Sequence, residues 1–98
     1  MKILAVEKEL PDVNEEQYAP HLKAEALKAW ELYQAGKIRE LYFSKDDYAV
    51  LILECTDEKE AEDVLSSFPL VKEGLIKFEI IPLLPYPGFS RLFNKGNK

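Results

Sequence analysis

The chain has only one cysteine, one histidine and four glycines among its 98 residues. Because Cys55 has no second cysteine to pair with, no internal disulfide can form, and we expect a protein of the reducing cytoplasm. One cysteine and one histidine are too few for a zinc site, and the sequence contains no glycine-rich phosphate loop or dinucleotide-binding motif. We therefore expect neither a metal nor another cofactor.

Positive charge is also scarce, with 13 lysines and arginines against 18 acidic residues and a net charge of −5. Nucleic acids and anionic membranes attract basic surfaces, so we expect neither as a partner. Charged residues follow directly after the apolar start of the chain, at positions 7–9, which leaves too short an apolar run for a signal peptide.

The residues that are present form a regular succession of strand and helix patterns. Apolar or alternating stretches predict strands at 3–6, 38–43, 48–54 and 76–81, and 3.6-residue periodicity predicts helices at 15–35 and from Thr56 to near Pro69. Gly36 is expected to end the first helix. This order predicts a single ferredoxin-like α+β domain over residues 1–98, with an antiparallel sheet.

Both faces of the central hairpin are largely apolar, which is unusual for a sheet covered by helices on one side. We therefore expect a homodimer packed sheet to sheet, and leave open a higher oligomer of such dimers. Residues 84–98 are predicted to form a stiff, proline-bearing arm at the dimer interface, with Tyr86 and Phe89 packing on the other subunit. The alternative is an arm that folds back over its own sheet edge.

Three stretches resemble muconolactone isomerase and its relatives in the dimeric α/β-barrel superfamily. They are GKIRELY at residues 36–42, LSSFPL at 65–70 and EIIPL at 79–83. The resemblance implies a cofactor-independent proton shift on a small, anionic organic acid or lactone. The opposing hypothesis is a dimer of the same fold that binds a small ligand or serves assembly without catalysis.

A proton shift needs an acid or base in a dry pocket, which we expect between the first helix and the sheet. His21 and Glu40 are the predicted catalytic residues. His21 lies one turn from Glu25, which could orient the imidazole, although an ordinary surface pair of these two residues is equally compatible with the spacing. Glu40 is expected on one face with Leu53 and Cys55, where burial would raise its pKa; a structural pairing of Glu40 across the interface remains open.

Arg39, Tyr42, Tyr48 and Glu25 are the predicted substrate-binding residues. If the hairpin closes symmetrically about its turn, Arg39 lies opposite Ile52 and diagonally beside Glu54. Arg39 could then form an ion pair with Glu54 or hold a substrate carboxylate in a bidentate contact.

Three further residues are expected to be structural. Trp30 and Tyr33 fall on the predicted apolar stripe of the first helix and are assigned to the core. Cys55 is expected to be a buried, inert thiol, too far from His21 for a cysteine–histidine pair.

Overall fold

The structure, a computed structural model, describes residues 1–93 and contains a four-stranded antiparallel sheet in the order β2-β3-β1-β4. The strands are β1 (Lys2–Glu9), β2 (Ile38–Phe43), β3 (Ala49–Glu54) and β4 (Ile76–Leu83). The helices are α1 (Glu15–Tyr18), α2 (Leu22–Gln34), α3 (Glu58–Ser66) and α4 (Pro69–Lys72), with 3₁₀ turns at Ala19–His21 and Gly88–Leu92. This open sheet with its helices confirms the predicted ferredoxin-like α+β fold. Within residues 1–93, no helix is long and apolar enough to cross a membrane.

The first predicted helix is broken near its start. Asn14 caps α1 by accepting the N–H of Gln17 at 3.1 Å, and Pro20 then lies at the beginning of the 3₁₀ turn. Because proline has no N–H to donate, the α-helical ladder is interrupted there and resumes at Leu22. Gly36 ends α2 with a φ of +80°, and the N–H of the next residue, Lys37, reaches back to Leu32 O at 3.0 Å, as a Schellman motif requires.

The second predicted helix begins one residue later than expected. Asp57, not Thr56, is its N-cap, and its side chain accepts the N–H of Glu60 at 2.8 Å. The strand predictions were too short for β1 and β4. β4 continues through Pro82, which pairs with Ile3 of β1 and is tolerated because β4 is an edge strand.

The core lies between the helices and one face of the sheet. Its main cluster consists of nine buried residues: Ile3, Ala5, Ile38, Leu51, Leu53, Cys55, Ala61, Leu65 and Phe68. The burial of Cys55 was predicted correctly, and burial raises the pKa of its thiol. The prediction that Trp30 and Tyr33 belong to the core was wrong, because their side chains are 55% and 49% exposed. The side of α2 that packs on the core carries Ala29 and Leu32 instead.

Within residues 1–93, no helix covers the opposite face of the sheet. It carries six apolar residues at its centre, which we call the open face: Leu4, Val6, Val50, Ile52, Ile81 and Leu83. Cross-strand pairing of Leu4 with both Ile52 and Ile81 places these side chains side by side across three strands. Charged residues such as Lys8 and Glu79 lie at its margin, where they form an ion pair at 3.4 Å.

The predicted hairpin register is off by one residue. Phe43 pairs with Ala49, and the ladder is irregular between Ile38 and Glu40, where Arg39 is an extra, unpaired residue. A one-residue shift moves every side chain to the other face. Glu40 therefore lies with Ile52 on the face away from the core, and the prediction that it neighbours Leu53 and Cys55 was wrong.

The chain after β4 projects away from the rest of the protein. The principal extents are 60 × 28 × 22 Å and the radius of gyration is 16.8 Å, whereas about 13 Å is usual for a compact domain of this length. Five large apolar side chains of this C-terminal arm are 66–81% exposed: Leu84, Tyr86, Phe89, Leu92 and Phe93. The arm (residues 84–93 as described) therefore does not fold back over its own sheet, while residues 94–98 of the predicted arm lie outside the described residues.

Candidate functional site

A polar cluster lies where β1 ends, on the helix-covered side of the sheet. Alternation along β1 puts Glu7 on the same face as the buried Ile3 and Ala5. One oxygen of Glu7, Oε1, accepts the backbone N–H of Ala49 at 2.9 Å. Glu7 was not among the predicted site residues because β1 was predicted to end at Val6, although the alternation of Ile3 and Ala5 continues to Glu7.

Glu25 is the half-buried carboxyl of this cluster. It lies on the side of α2 that carries Ala29 and Leu32, and its Oε1 accepts the N–H of Leu70 at 2.9 Å. Burial, followed by the negative charge of Glu7, raises the pKa of Glu25, while the Leu70 N–H and His21 act in the opposite direction. Among residues 1–93, no hydrogen bond occupies its second oxygen, Oε2, so that oxygen can receive a proton from a ligand.

His21 lies one turn before Glu25, as the sequence predicted, and its charge influences that carboxyl. Its Nε2 is 3.9 Å from Oε1 of Glu73, an ion-pair contact when the imidazole is protonated. His21 is thus close to two carboxylates, those of Glu25 and Glu73. The structure thus brings together two of the predicted site residues, His21 at the end of the 3₁₀ turn and Glu25 in the first turn of α2.

Two tyrosines complete the cluster. The hydroxyl of Tyr48 donates to Oε2 of Glu9 at 3.0 Å, and this bond raises the pKa of Tyr48. Tyr18 also has a raised pKa, caused first by burial and then by the charges of Glu7 and Glu9. Both phenols therefore remain protonated at neutral pH and can donate hydrogen bonds. We call these six residues the carboxylate–tyrosine cluster: Glu7, Glu9, Tyr18, His21, Glu25 and Tyr48.

An apolar recess of about 250 Å³ lies on the hairpin at Ala49. It is lined by the outer half of the hairpin: Leu41, Tyr42, Phe43, Ala49 and Leu51. Ala49 joins the two parts, because its N–H is the group bound by Glu7. The recess is open to solvent in a single protomer, with Phe43 75% exposed. Its lining is predominantly apolar, as in most small-molecule sites.

Glu40 and Tyr42 form a separate pair. The hydroxyl of Tyr42 donates to Oε1 of Glu40 at 2.8 Å, which raises the pKa of Tyr42, and both side chains are exposed. Glu40 projects on the opposite face of the sheet from Glu7. It pairs with Ile52 of the open face, whereas Glu7 alternates along β1 with the buried Ile3 and Ala5. The predicted catalytic residues His21 and Glu40 are therefore not brought together.

Arg39 does not form the predicted ion pair. Its Nε donates to the carbonyl of Gly36 at 3.1 Å, while Glu54 binds the N-terminal amine at 2.9 Å. That amine lowers the pKa of Glu54, with Arg39 acting only as a minor, more distant charge. The bulge explains the error, since it removes Arg39 from the regular pairing of the hairpin. Within residues 1–93, no three metal-binding side chains converge.

Comparison with known proteins places this geometry in a family. Residues 4–88 match the family described as muconolactone delta-isomerase, and the chain belongs to that family, whose fold supports enzymes acting on small molecules. The resemblance seen in the sequence is thereby confirmed. Among curated proteins, no sequence matches the chain.

A solved structure is similar to this one over most of its length. It is 5-chloro-2-hydroxyhydroquinone dehydrochlorinase from Burkholderia phenoliruptrix AC1100, in complex with 2,5-dihydroxybenzoquinone. The TM-score is 0.71 at 18% identity, covering 90% of this chain and 98% of that one. The likeness shows a shared fold.

Proposed function

We propose that the chain is a cofactor-independent isomerase that moves a double bond in a small organic acid or lactone, with Glu25 as the proton carrier. The observation that supports this most directly is the state of Glu25. It is half-buried, its pKa is raised, one oxygen is held by the Leu70 N–H, and its neighbour Glu7 binds the N–H of Ala49, which lines an apolar recess. A carboxyl whose pKa is raised toward neutrality is suited to both removing and returning a proton.

The proposed step is balanced without an oxidant or reductant. Oε2 of Glu25 removes a proton from a carbon next to the substrate carbonyl, and the C–H electron pair moves into the conjugated system as an enolate. The protonated Glu25 then returns the proton to a more distant carbon of the same system. The double bond changes position, and the composition of the substrate is unchanged.

The enolate oxygen needs hydrogen-bond donors while it carries charge. Tyr18 is suitable, because its raised pKa keeps its hydroxyl protonated, and Tyr48 becomes a second donor when its hydroxyl turns from Glu9 to the enolate. His21 can add a further N–H when protonated. Tyr48 was predicted as a substrate-binding residue, and the proposal keeps it in that role. Glu40, predicted as catalytic, is given no part in this step because it lies on the other face.

Glu25→Gln is the decisive variant. Glutamine keeps the shape and the acceptor for Leu70 but cannot carry the proton, so we expect kcat to fall by about 10²–10⁴-fold, the usual contribution of a general base. The assay follows muconolactone and related unsaturated lactones by ultraviolet absorbance, and deuterium uptake at carbon in D₂O by NMR. The matched control is Glu31→Gln, a change of the same kind on the exposed side of α2.

The pH dependence provides a second readout. Because the pKa of Glu25 is raised, kcat/KM should increase with pH through a midpoint above that of an ordinary glutamate. A Glu25→Gln enzyme with undiminished turnover would exclude Glu25 as the proton carrier.

A dimeric protein that binds a small ligand without turning it over is the second candidate. It is favoured by the open recess of the protomer, where Phe43 is largely exposed. Calorimetric binding of the same lactones by the wild type, with neither turnover nor deuterium uptake, would support this candidate over the isomerase.

A further inference from the structure

Glu7 is held at the point where the carboxylate–tyrosine cluster meets the recess. Its Oε1 accepts the N–H of Ala49 at 2.9 Å, and Ala49 lines the recess. Its backbone is fixed as well, because residue 7 of β1 pairs with Phe78 of β4 in the sheet. Rotation of the side chain away from the recess would break the bond to Ala49, whose N–H is partly buried. The carboxylate of Glu7 therefore has a defined position in the site, unlike that of a surface glutamate.

Glu7 acts on the ionisation of three other residues of the cluster. Burial raises the pKa of Tyr18 and of Glu25, and the negative charge of Glu7 adds to both shifts. The bond to Glu9 raises the pKa of Tyr48, and the charge of Glu7 contributes again as a smaller cause. One carboxylate is thus common to the surroundings of the proposed proton carrier and of both phenols. A substrate that reaches these three groups must also meet Glu7.

The other charges around these three groups are mainly negative. Around the two tyrosines they are the carboxylates of Glu9 and Asp46. Around Glu25 the other charge is that of His21, whose Nε2 is 3.9 Å from Oε1 of Glu73. In the described part of the chain, no lysine or arginine is among the charges that act on the three groups. An anionic group of a ligand would therefore enter a region of negative potential, which weakens its binding.

The cluster also offers hydrogen-bond acceptors to a ligand. An ionised carboxylate accepts hydrogen bonds and donates none. Within residues 1–93, no hydrogen bond occupies Oε2 of Glu7 or Oε2 of Glu25. A ligand hydroxyl can donate to such an oxygen, whereas a ligand carboxylate carries no proton to donate at neutral pH. The apolar recess next to Ala49 suits the carbon ring of such a ligand.

We propose that Glu7 makes the site selective for an uncharged lactone that carries a hydroxyl group. Oε2 of Glu7 accepts the hydrogen bond of this hydroxyl, and the negative charge of Glu7 repels a carboxylate at the same position. The inference rests on the proposed function for the lactone ring and for the proton step at Glu25. It replaces the anionic substrate expected from the sequence with a neutral one. It also assigns substrate selection to a residue that was not among the predicted site residues.

Two saturated lactones of similar shape test this selectivity without any reaction. They are γ-butyrolactones with either a hydroxymethyl group or a carboxylate on the carbon next to the ring oxygen, and neither has a double bond to move. Each is titrated by calorimetry into the wild type at neutral pH. The lost hydrogen bond and the added like-charge contact each change affinity by about tenfold, so the hydroxymethyl lactone should bind about 100-fold more tightly. Equal affinities would overturn the proposal, as would failure of the hydroxymethyl lactone to bind.

Glu7→Gln tests which residue is responsible for the preference. Glutamine keeps the acceptor for the Ala49 N–H and the shape of the side chain, but it carries no charge. The preference for the hydroxymethyl lactone should fall by about tenfold, mainly because the carboxylate lactone binds more tightly. The control Glu62→Gln removes a carboxylate from an exposed position of α3 and should leave the preference as in the wild type. The same preference in Glu7→Gln as in the wild type would exclude Glu7 as the selecting residue.

Salt gives a readout on the wild type that does not depend on the folding of a variant. Raising NaCl from about 0.01 to 1 M shortens the screening length from about 30 to 3 Å. Because the recess is open to solvent, the repulsion of the carboxylate should be screened, and the preference for the hydroxymethyl lactone should fall at least about threefold. A preference that is independent of salt would show that it does not arise from charge and would contradict the role of Glu7.

The binding measurements separate failure of this inference from failure of the proposed function. A wild type that prefers the hydroxymethyl lactone but does not move the double bond of its unsaturated counterpart supports selection by Glu7 and contradicts the isomerase. An enzyme that turns over unsaturated lactones but binds both saturated lactones equally well remains an isomerase, and selection by Glu7 is then wrong.

Discussion

Substitution of Ile52 by lysine gives a direct test of sheet-to-sheet pairing. Ile52 is half-buried at the centre of the open face, next to Leu4, and belongs to neither core cluster. Ile52→Lys should therefore leave the protomer folded, with a circular dichroism spectrum and a melting temperature close to those of the wild type. In a dimer, however, both copies would bring an unpaired charge into the apolar contact.

The expected increase in the dimer dissociation constant follows from the burial of residue 52 in the contact. Covering the exposed part of an isoleucine contributes about 1 kcal/mol, a fraction of the 1.5–3 kcal/mol for full burial. An unpaired buried charge costs about several kcal/mol, and twofold symmetry makes each effect count twice. The dimer dissociation constant should rise by at least about 10³-fold, equivalent to about 4 kcal/mol.

Sedimentation velocity from about 0.1 to 100 μM monomer measures this change, since the range spans the dissociation constants of common dimers. The control, Ser66→Lys, adds the same charge to an exposed position of α3 on the helix-covered side. An Ile52→Lys protein that dimerises with wild-type affinity would refute pairing through the open face. A wild type that remains monomeric at the highest concentration would refute the dimer itself.

Three further predictions concern single carboxyl and guanidinium groups. Burial raises the pKa of Glu25, so the folded state binds this proton more tightly than the unfolded state, and the associated stability is lost as pH rises through the raised pKa. Urea unfolding should accordingly show that the free energy of unfolding of Glu25→Gln increases relative to that of the wild type as pH rises past the pKa of an ordinary glutamate, and that the difference levels off above the raised pKa; parallel curves would argue against a raised pKa. Glu40→Gln should retain turnover, because this exposed residue lies away from the cluster, and complete loss of turnover in the assay would restore its predicted catalytic role. Arg39→Met should lower the free energy of unfolding by about 1 kcal/mol, the net value of its one hydrogen bond to Gly36. The affinity for maleate, an unreactive dicarboxylate titrated by calorimetry, should not change. Weaker maleate binding at unchanged stability would identify Arg39 as the anchor of a substrate carboxylate instead.

The order of the elements could be predicted from sequence because it depends on periodicity and on local signals such as Gly36. The faces of the hairpin could not, because they depend on the length of the turn: Phe43 pairs with Ala49 rather than with Tyr48, and the bulge at Arg39 returns the ladder to the expected pairing of Ile38 with Leu53. The predicted core-facing side of helix α2 was also wrong, because it depends on tertiary packing. The helix carries apolar residues on two sides, and tertiary packing selects Ala29 and Leu32 over the larger Trp30.

The site was predicted only in part. His21, Glu25 and Tyr48 were selected from sequence, and the structure places them in one cluster. Glu7 was missed because a glutamate after a short apolar run is more typical of a strand end than of a buried-side residue. The alternation of Ile3, Ala5 and Glu7 indicates its face, but the continuation of β1 past Val6 depends on pairing with β4, which is long-range information.

The bulge at Arg39 also affects how the protein behaves at high concentration. β2 is an edge strand, and its outward backbone groups could pair with a strand from another molecule. An intruding strand needs a run of regularly spaced donors and acceptors, and the extra residue breaks that run near the start of β2. At the other edge, Pro82 removes one donor from β4. Irregularities at both margins thus discourage growth of the sheet from molecule to molecule.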